Sequence, residues 1–348
     1  MKKSLLALAV LGAFAGVAHA QTAVQIYGTL DAGLIKRTDQ SLAIGKRANN
    51  TLGFKGTEEL GNGLKALFQL EIRYEPDVGT IEQGAGGVQR PLFQGQSRVG
   101  LQGGFGMVRI GRGLTAFQES SIAFEPFHGV PSPAGFQTDL TVAGYTSDPL
   151  GMIGNSTNRF SNAIFYNSNE MNGFQVNATV ATKEGNQAAP IIGRGTALNP
   201  QYGAGAEASA NPYSVAATYK NGPIGLMLAT ERNAIETELW SIAGSFMASP
   251  ALKLMASYTT QDQEHTRAVN PETDAWVVGA NYTMGPGKFL IGYGHKTPDG
   301  VTKTKQFSLG YEYSLSKRTY LYFDASNKKG PTVPSSINHF AVGVNHSF

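Results

Sequence analysis

Cysteine is absent from this 348-residue chain. Disulfide staples, thiol nucleophiles and thiolate metal sites are therefore excluded together. Histidine is scarce, at six residues. The five beyond residue 20, His128, His265, His295, His339 and His346, are scattered, and none sits in a G-x-S-x-G or H-E-x-x-H setting. Hydrolysis needs a nucleophile held beside a base, and metal binding needs clustered ligands. The sequence thus reads as a non-enzyme, with no metal and no cofactor. Charged residues make up only 15%, the formal net charge is +3, and no basic run occurs, so there is no electrostatic footprint for nucleic acid. Long hydrophobic runs are missing as well. Beyond residue 20 nothing approaches the roughly 20 apolar residues that a membrane-spanning helix requires.

Residues 1–20 are a different matter. Lys2 and Lys3 precede an apolar stretch over 5–17, and Ala18-His19-Ala20 closes it with a small-residue cleavage pattern. This is the layout of a cleaved secretory signal peptide, and the mature chain is expected to begin at Gln21. The signal takes two positive charges with it, which leaves the mature chain close to neutral. The sign of any ion preference then falls to local geometry.

What the chain has is glycine, 43 residues of it, aromatic residues at 10%, and alternation. Period-2 runs bounded by turn residues mark strands. They occupy 24–36, 51–58, 64–74, 96–103, 106–112, 159–168, 174–182, 212–220, 224–232, 238–247, 252–260, 274–283, 288–296, 305–314, 319–326 and 339–348. In each, one face is rich in Leu, Ile, Val, Phe, Tyr and Ala, and the other in Gln, Thr, Ser, Asn, Lys, Arg and Glu. The connections alternate in length. Tight turns such as Glu59-Leu60-Gly61-Asn62-Gly63 alternate with longer polar segments at about 38–49, 75–95, 113–157, 183–211, 261–273, 297–303 and 327–337, with one short exception near 233–237.

An even strand count with short turns on one rim and long loops on the other describes an outer-membrane barrel. A soluble sandwich or propeller predicts no such asymmetry. The expected fold is all-β: one transmembrane antiparallel β-barrel of sixteen strands over 21–348, with short periplasmic turns and long extracellular loops. Apolar-face aromatics gather at the two rims, with Phe54, Phe174, Tyr219, Phe246, Tyr282, Phe289 and Tyr313 near the short turns and Tyr258, Trp276 and Tyr293 near the long loops. Interfacial girdles would place them so. The last ten residues alternate without a break and end on Phe348, as expected of a final strand that must close against the first. His346 interrupts its lipid-facing row, which suits a place at the periplasmic rim or an intersubunit contact.

Alternation also assigns charges to the lumen. With Leu52 and Phe54 in lipid, Lys55 turns inward. With Val99 and Leu101 in lipid, Arg98 turns inward, and Phe68 with Leu70 does the same for Glu71 and Arg73. A cation on the lipid face at the midplane costs ~2–4 kcal/mol, so inward is the favoured placement.

Ile26-Tyr27-Gly28 with Asp31, the run from Leu52 to Ala66 (LGFKGTEELGNGLKA), the run from Ser97 to Gly106 (SRVGLQGGFG), Ile110-Gly111-Arg112 and the terminal Phe348 together resemble the general diffusion porins of Gram-negative outer membranes, in particular the neisserial and burkholderial branch. The resemblance runs from Gln21 to Phe348. It implies a homotrimer of sixteen-stranded barrels in the cell outer membrane, passing ions and small hydrophilic solutes passively. Outer-membrane lipid and lipopolysaccharide would surround it, and Phe348 would signal to the outer-membrane assembly machinery. It also implies that the third long loop, 113–157, folds into the lumen and narrows it, with Glu119 and Glu125 as its acidic residues. Arg98, Arg159 and Lys55 would form the facing basic wall, with Glu71 at an acidic wall position. Two departures stand out. Thr51 occupies a position where the family often has arginine, and the loop reads Glu125-Pro126-Phe127-His128 in place of the commoner order. Three other readings remain open: a channel selective for one sugar, nucleoside or organic anion, an adhesion role for the long loops, and an enzyme in the same barrel.

Overall fold

The computed structural model describes residues 23–84, 89–149, 156, 158–182, 191–196, 199–202, 210–262, 272–298, 302–331 and 334–348. The expected signal segment 1–20 and most of loop 183–211 lie outside the described residues. Sixteen long strands build the wall: β1 Ala23–Arg37, β2 Asn50–Gly61, β3 Leu64–Glu75, β4 Gln96–Gly103, β5 Gly106–Leu114, β6 Arg159–Asn167, β7 Phe174–Ala181, β8 Tyr213–Asn221, β9 Ile224–Arg232, β10 Glu238–Met247, β11 Leu252–Asp262, β12 Glu272–Met284, β13 Gly287–Pro298, β14 Thr304–Ser314, β15 Thr319–Lys329 and β16 Ser336–Ser347. Each pairs antiparallel with its neighbours in chain order. These strands lie where alternation puts them and extend it by a few residues at most.

The seam is double. The first half of β1 pairs with β2, from Ala23 opposite Thr57 to Thr29 opposite Thr51. Its second half pairs with β16, from Thr29 opposite Ser347 to Arg37 opposite His339. Gly28 and Phe348 exchange backbone hydrogen bonds at 3.3 and 3.1 Å, so the last residue completes the ladder and no strand edge faces lipid.

The outer face is apolar and exposed. Val24 and Val99 are each 60% accessible, and Ile242 is 58%. A water-soluble protein would bury such rows, whereas in a membrane the lipid covers them. Rings cluster at the rims, as in Phe174 on Tyr219 at 4.4 Å and Trp276 on Tyr293 at 5.5 Å between centroids. His346 lies at the short-turn rim, within 2.8 Å of the Thr319 hydroxyl.

The inner face departs from the expected uniform polarity. Met227, Leu239, Val277 and Leu290 point inward and are buried. They are covered by the segment after β5. There a short helix α1, Ala116–Ser121, continues into a 3-10 turn at Ile122–Phe124, and residues up to Tyr145 lie inside the barrel. Phe117, Phe124, Val142 and Tyr145 pack on Ala216, Met227, Ala229, Leu239 and Ala243. Phe127, Ala134, Phe136 and Leu140 pack on Val277 and Leu290. The long loop thus coats the wall from β7 to β15 and leaves the wall from β1 to β5 facing open space.

Candidate functional site: the lumen constriction

A loop held inside a barrel must satisfy its backbone polar groups without helix or sheet partners. Wall side chains supply them. Thr115 caps α1 by accepting from the Gln118 amide at 3.3 Å, while the Ala116 and Phe117 amides donate to wall hydroxyls of Thr179 (3.1 Å) and Ser214 (2.9 Å). Three amides of the first helical turn, otherwise unsatisfied, are thus taken up. The Gln306 amide donates to the carbonyls of Pro133, Ala134 and Gly135 at 2.9–3.3 Å. Thr259 donates to Thr141 O at 2.8 Å, and Lys253 to Ala123 O at 2.7 Å. The polar residues of the inner face therefore do two jobs, wetting the open wall and holding the loop on the other.

Wall glycines make the room. A Cβ at Gly292 would stand 2.5 Å from the Phe136 ring, one at Gly294 2.6 Å from Leu140, one at Gly279 2.6 Å from Pro126 and one at Gly310 2.8 Å from Phe127. Inward-facing glycines on β12, β13 and β14 form a cradle into which the loop's bulky residues settle.

The residues expected at the constriction separate into two groups. Glu119 on α1 is partly exposed and lies 3.6 Å from the Arg109 guanidinium. Arg98 donates from Nε and Nη2 to Gln69 Oε1 at 3.2 and 3.0 Å. Arg98 and Arg109 both approach the Phe165 ring, at 5.7 and 5.9 Å. Lys55 is exposed to the lumen and stands 5.1 Å over the Tyr27 ring. The Tyr27 hydroxyl accepts from Gln69 at 2.7 Å and donates to Glu71 at 3.2 Å. Lys55, Arg98, Glu119 and Glu71 are thus brought into one neighbourhood.

Glu125, Arg73 and Arg159 are placed elsewhere. Glu125 is 1% exposed and turned into the loop, where it accepts from the amides of Gly129 (2.6 Å) and Phe136 (3.0 Å). Burial pushes its carboxyl up to about 7 against the pull of those amides, and it organises the loop without facing the channel. Arg159 is buried, donating to Gly95 O and Asn158 Oδ1, both at 2.6 Å. Arg73 sits 3.9 Å from Glu71, largely covered. These two arginines support the second long loop from beneath, because that loop folds over them.

Arg109, not singled out from the sequence, is central. Its signal was available, since Val108 and Ile110 face lipid and alternation turns Arg109 inward. Two water-accessible spaces meet at Met107 beside it: about 700 Å³ lined by Glu119, Lys220 and Lys253, and about 300 Å³ lined by Lys55, Gln69 and Arg109. The Arg109–Glu119 pair stands between them. Two other inward carboxylates are held by partners. Asp139 is bound by Lys296 and Lys328, and although burial alone would raise its carboxyl, the two ammonium groups hold it below the usual range. Glu231 accepts from the Thr115 hydroxyl at 2.5 Å under the loop. Among the described residues no cluster of three or more potential metal ligands occurs.

A closed sixteen-stranded barrel with a loop lining its lumen is a channel, and comparison with known proteins gives it a family. The Gram-negative porin family matches residues 7–331. The chain belongs to the Gram-negative porins. An outer membrane porin protein of Bordetella pertussis is 28% identical over 99% of this chain and 98% of its own length. Outer membrane porin protein 32 of Delftia acidovorans is 30% identical over 92% and 88% respectively. Among solved structures, the anion-selective porin from Comamonas acidovorans superposes with a TM-score of 0.75 at 22% identity, covering 94% of this porin and 100% of that chain. OmpT of Vibrio cholerae, in its trimer form, gives 0.65 at 14% identity over 94% and 99%. The porin is an outer-membrane protein that passes small solutes through its lumen, and its relatives are channels.

Proposed function

We propose that this porin is a homotrimeric general diffusion channel whose gap between α1 and the β1–β5 wall prefers anions. The observation that carries the reading is an imbalance of charge. Lys55 and Arg98 have no carboxylate within salt-bridge distance among the described residues, Arg109 is paired with Glu119, and the space beside that pair adds Lys220 and Lys253 against the single further carboxylate Glu170. A ring of fixed charge at a narrow aqueous point tunes which ions pass, while its diameter sets the size limit. The Comamonas acidovorans relative described as anion-selective and the trimeric Vibrio relative support the sign and the assembly.

The same reading includes cleavage before Gln21, an outer-leaflet contact with lipopolysaccharide on the apolar wall, and no catalytic turnover. In planar bilayers under a KCl gradient, the wild type should give a reversal potential of anion-selective sign. Arg98→Ala should reduce it and Glu119→Gln should increase it. Arg98→Ala combined with Glu119→Ala leaving both conductance and selectivity unchanged would show that the gap is not the selective point.

A further inference from the structure

The ladder between β1 and β2 is interrupted in one place. Thr29 pairs with Thr51, and Gly33 pairs with Gly45 of a short ribbon, Ala43–Gly45. Five residues, 46–50, therefore stand opposite three, 30–32. The two surplus residues must leave the sheet. Asn50 patches the break: its Oδ1 accepts from the Asp31 amide at 2.5 Å and its Nδ2 donates to the Asp31 carbonyl at 3.1 Å. The excess chain is thrown inward, and it carries Lys46 and Arg47.

Arg47 is 1% exposed. Its Nε donates to Asp324 Oδ2 and one terminal nitrogen to Glu312 Oε1, both at 2.7 Å. Its guanidinium stands over the rings of Tyr322 (5.2 Å) and Tyr320 (5.8 Å). Its backbone amide donates to Asp31 Oδ1 at 2.6 Å, and its carbonyl accepts from the Ser132 amide of the inserted loop at 3.2 Å. Lys46 holds the other side, at 2.8 Å from Glu75 and 2.7 Å from Glu82. The remaining neighbours of the acidic cluster are Lys288 at 2.5 Å from Glu312, with Tyr322 and Asn345 donating to Asp31 at 3.0 and 2.8 Å. Two carboxylates from β14 and β15 thus converge on one buried guanidinium while Asp31 of β1 holds the same residue by its backbone amide, and among the described residues Lys288 is the one other cation bonded to the three. That guanidinium is planar and can bond two carboxylates while stacking on a ring, which lysine cannot.

We propose that Arg47 is a specificity-determining and positioning residue for permeation. It offsets the acidic cluster on the β14–β15 wall, so that the lumen field keeps one sign, and its carbonyl fastens the return limb of the inserted loop. The one-signed lumen field rests on the anion preference proposed above; the direction of the Arg47 shift does not.

The test is bilayer reversal potential on Arg47→Gln and on the triple variant Arg47→Gln/Glu312→Gln/Asp324→Asn, each checked for heat-resistant trimers on gels. Arg47→Gln should lower the chloride-to-potassium permeability ratio about threefold relative to wild type, because unscreened lumen charges act at short range in reduced dielectric. It should also add open-channel noise as Ser132 loosens. The triple variant removes both carboxylates that had bonded the guanidinium, leaves Asp31 to its hydrogen bonds from Tyr322, Asn345 and the amide of position 47, and should fold even where the single variant does not. It loses one cation and two carboxylates, a net gain of one positive charge, so it should bring the ratio back to the wild-type value or above it while keeping the extra noise. An unchanged ratio in folded Arg47→Gln trimers, or a triple variant whose ratio stays below wild type, would overturn the proposal. A wild type found to prefer cations would refute the gap reading alone, since the Arg47 shift is measured against wild type.

Discussion

Replacing Gly292 by valine should dislodge the inserted loop and leave the barrel standing. The backbone at Gly292 is ordinary strand, so a side chain there meets no conformational strain, and valine is a favoured strand residue. The obstacle lies across the lumen. The new Cβ would fall 2.5 and 2.8 Å from two carbons of the Phe136 ring and 3.0 Å from Pro126, where van der Waals contact requires about 3.5–4.0 Å. The ring has to withdraw by about 1 Å before the two added methyls are counted. Overpacking of this kind costs about 1–3 kcal/mol. Expelling Phe136 from its buried site would cost about 3–5 kcal/mol, the range for truncating a buried phenylalanine.

The loop segment from Pro126 to Phe136 should therefore shift, while α1 stays tied through Thr115, Thr179 and Ser214. Single-channel conductance should rise, and liposome swelling should admit larger sugars. The gel mobility of heat-resistant trimers should match wild type. Phe136→Ala should reproduce the effect from the other side of the contact, and Gly292→Ala should fall between. Unchanged conductance and an unchanged exclusion limit in folded Gly292→Val trimers would refute the idea that the glycine cradle sets loop position.

Two further outcomes follow from the loop and the seam. Because burial raises the Glu125 carboxyl from 4.5 to about 7, the docked loop favours its neutral form. Its stabilising effect is full below about pH 4.5 and is lost as pH rises through 7. Open-channel noise should accordingly grow between pH 4.5 and 7, and Glu125→Gln should flatten that dependence. Asp139 acts with the opposite sign, its clamp by Lys296 and Lys328 being present above its ordinary pKa and lost in stronger acid. Deletion of Phe348 removes the bonds to Gly28. If the residue is also an assembly signal, the deletion should abolish insertion in cells yet still refold into detergent micelles. Equal loss in both settings would leave only the seam.

The wall was legible because its rule is local. Alternation with period 2 and the spacing of Gly, Asn and Pro turns marked all sixteen strands, and Lys55 and Arg98 were placed by the parity of their neighbours. Arg109 obeyed the same rule. The loop was less legible. Glu119 and Glu125 stand six residues apart on one short segment, and nothing local distinguishes the carboxylate that faces the gap from the one that folds under its own chain. Arg159 and Arg73 looked like members of the basic wall because alternation reports the face of a strand and not what covers it. The inward Met227, Leu239 and Leu290 contradicted a purely wet lumen, since the wall they belong to is covered by chain from over a hundred residues away.

Composition and periodicity by themselves determined that this chain crosses a membrane as strands, how many, and which face of each meets lipid. Those properties depend on residues two apart along one backbone. The tertiary structure alone decided which inner wall is dry, which carboxylate remains at the gap, and that Arg47 enters the barrel. Those outcomes depend on where a long loop settles and on two surplus residues in a ladder. They are set by contacts between distant strands, to which no local period corresponds.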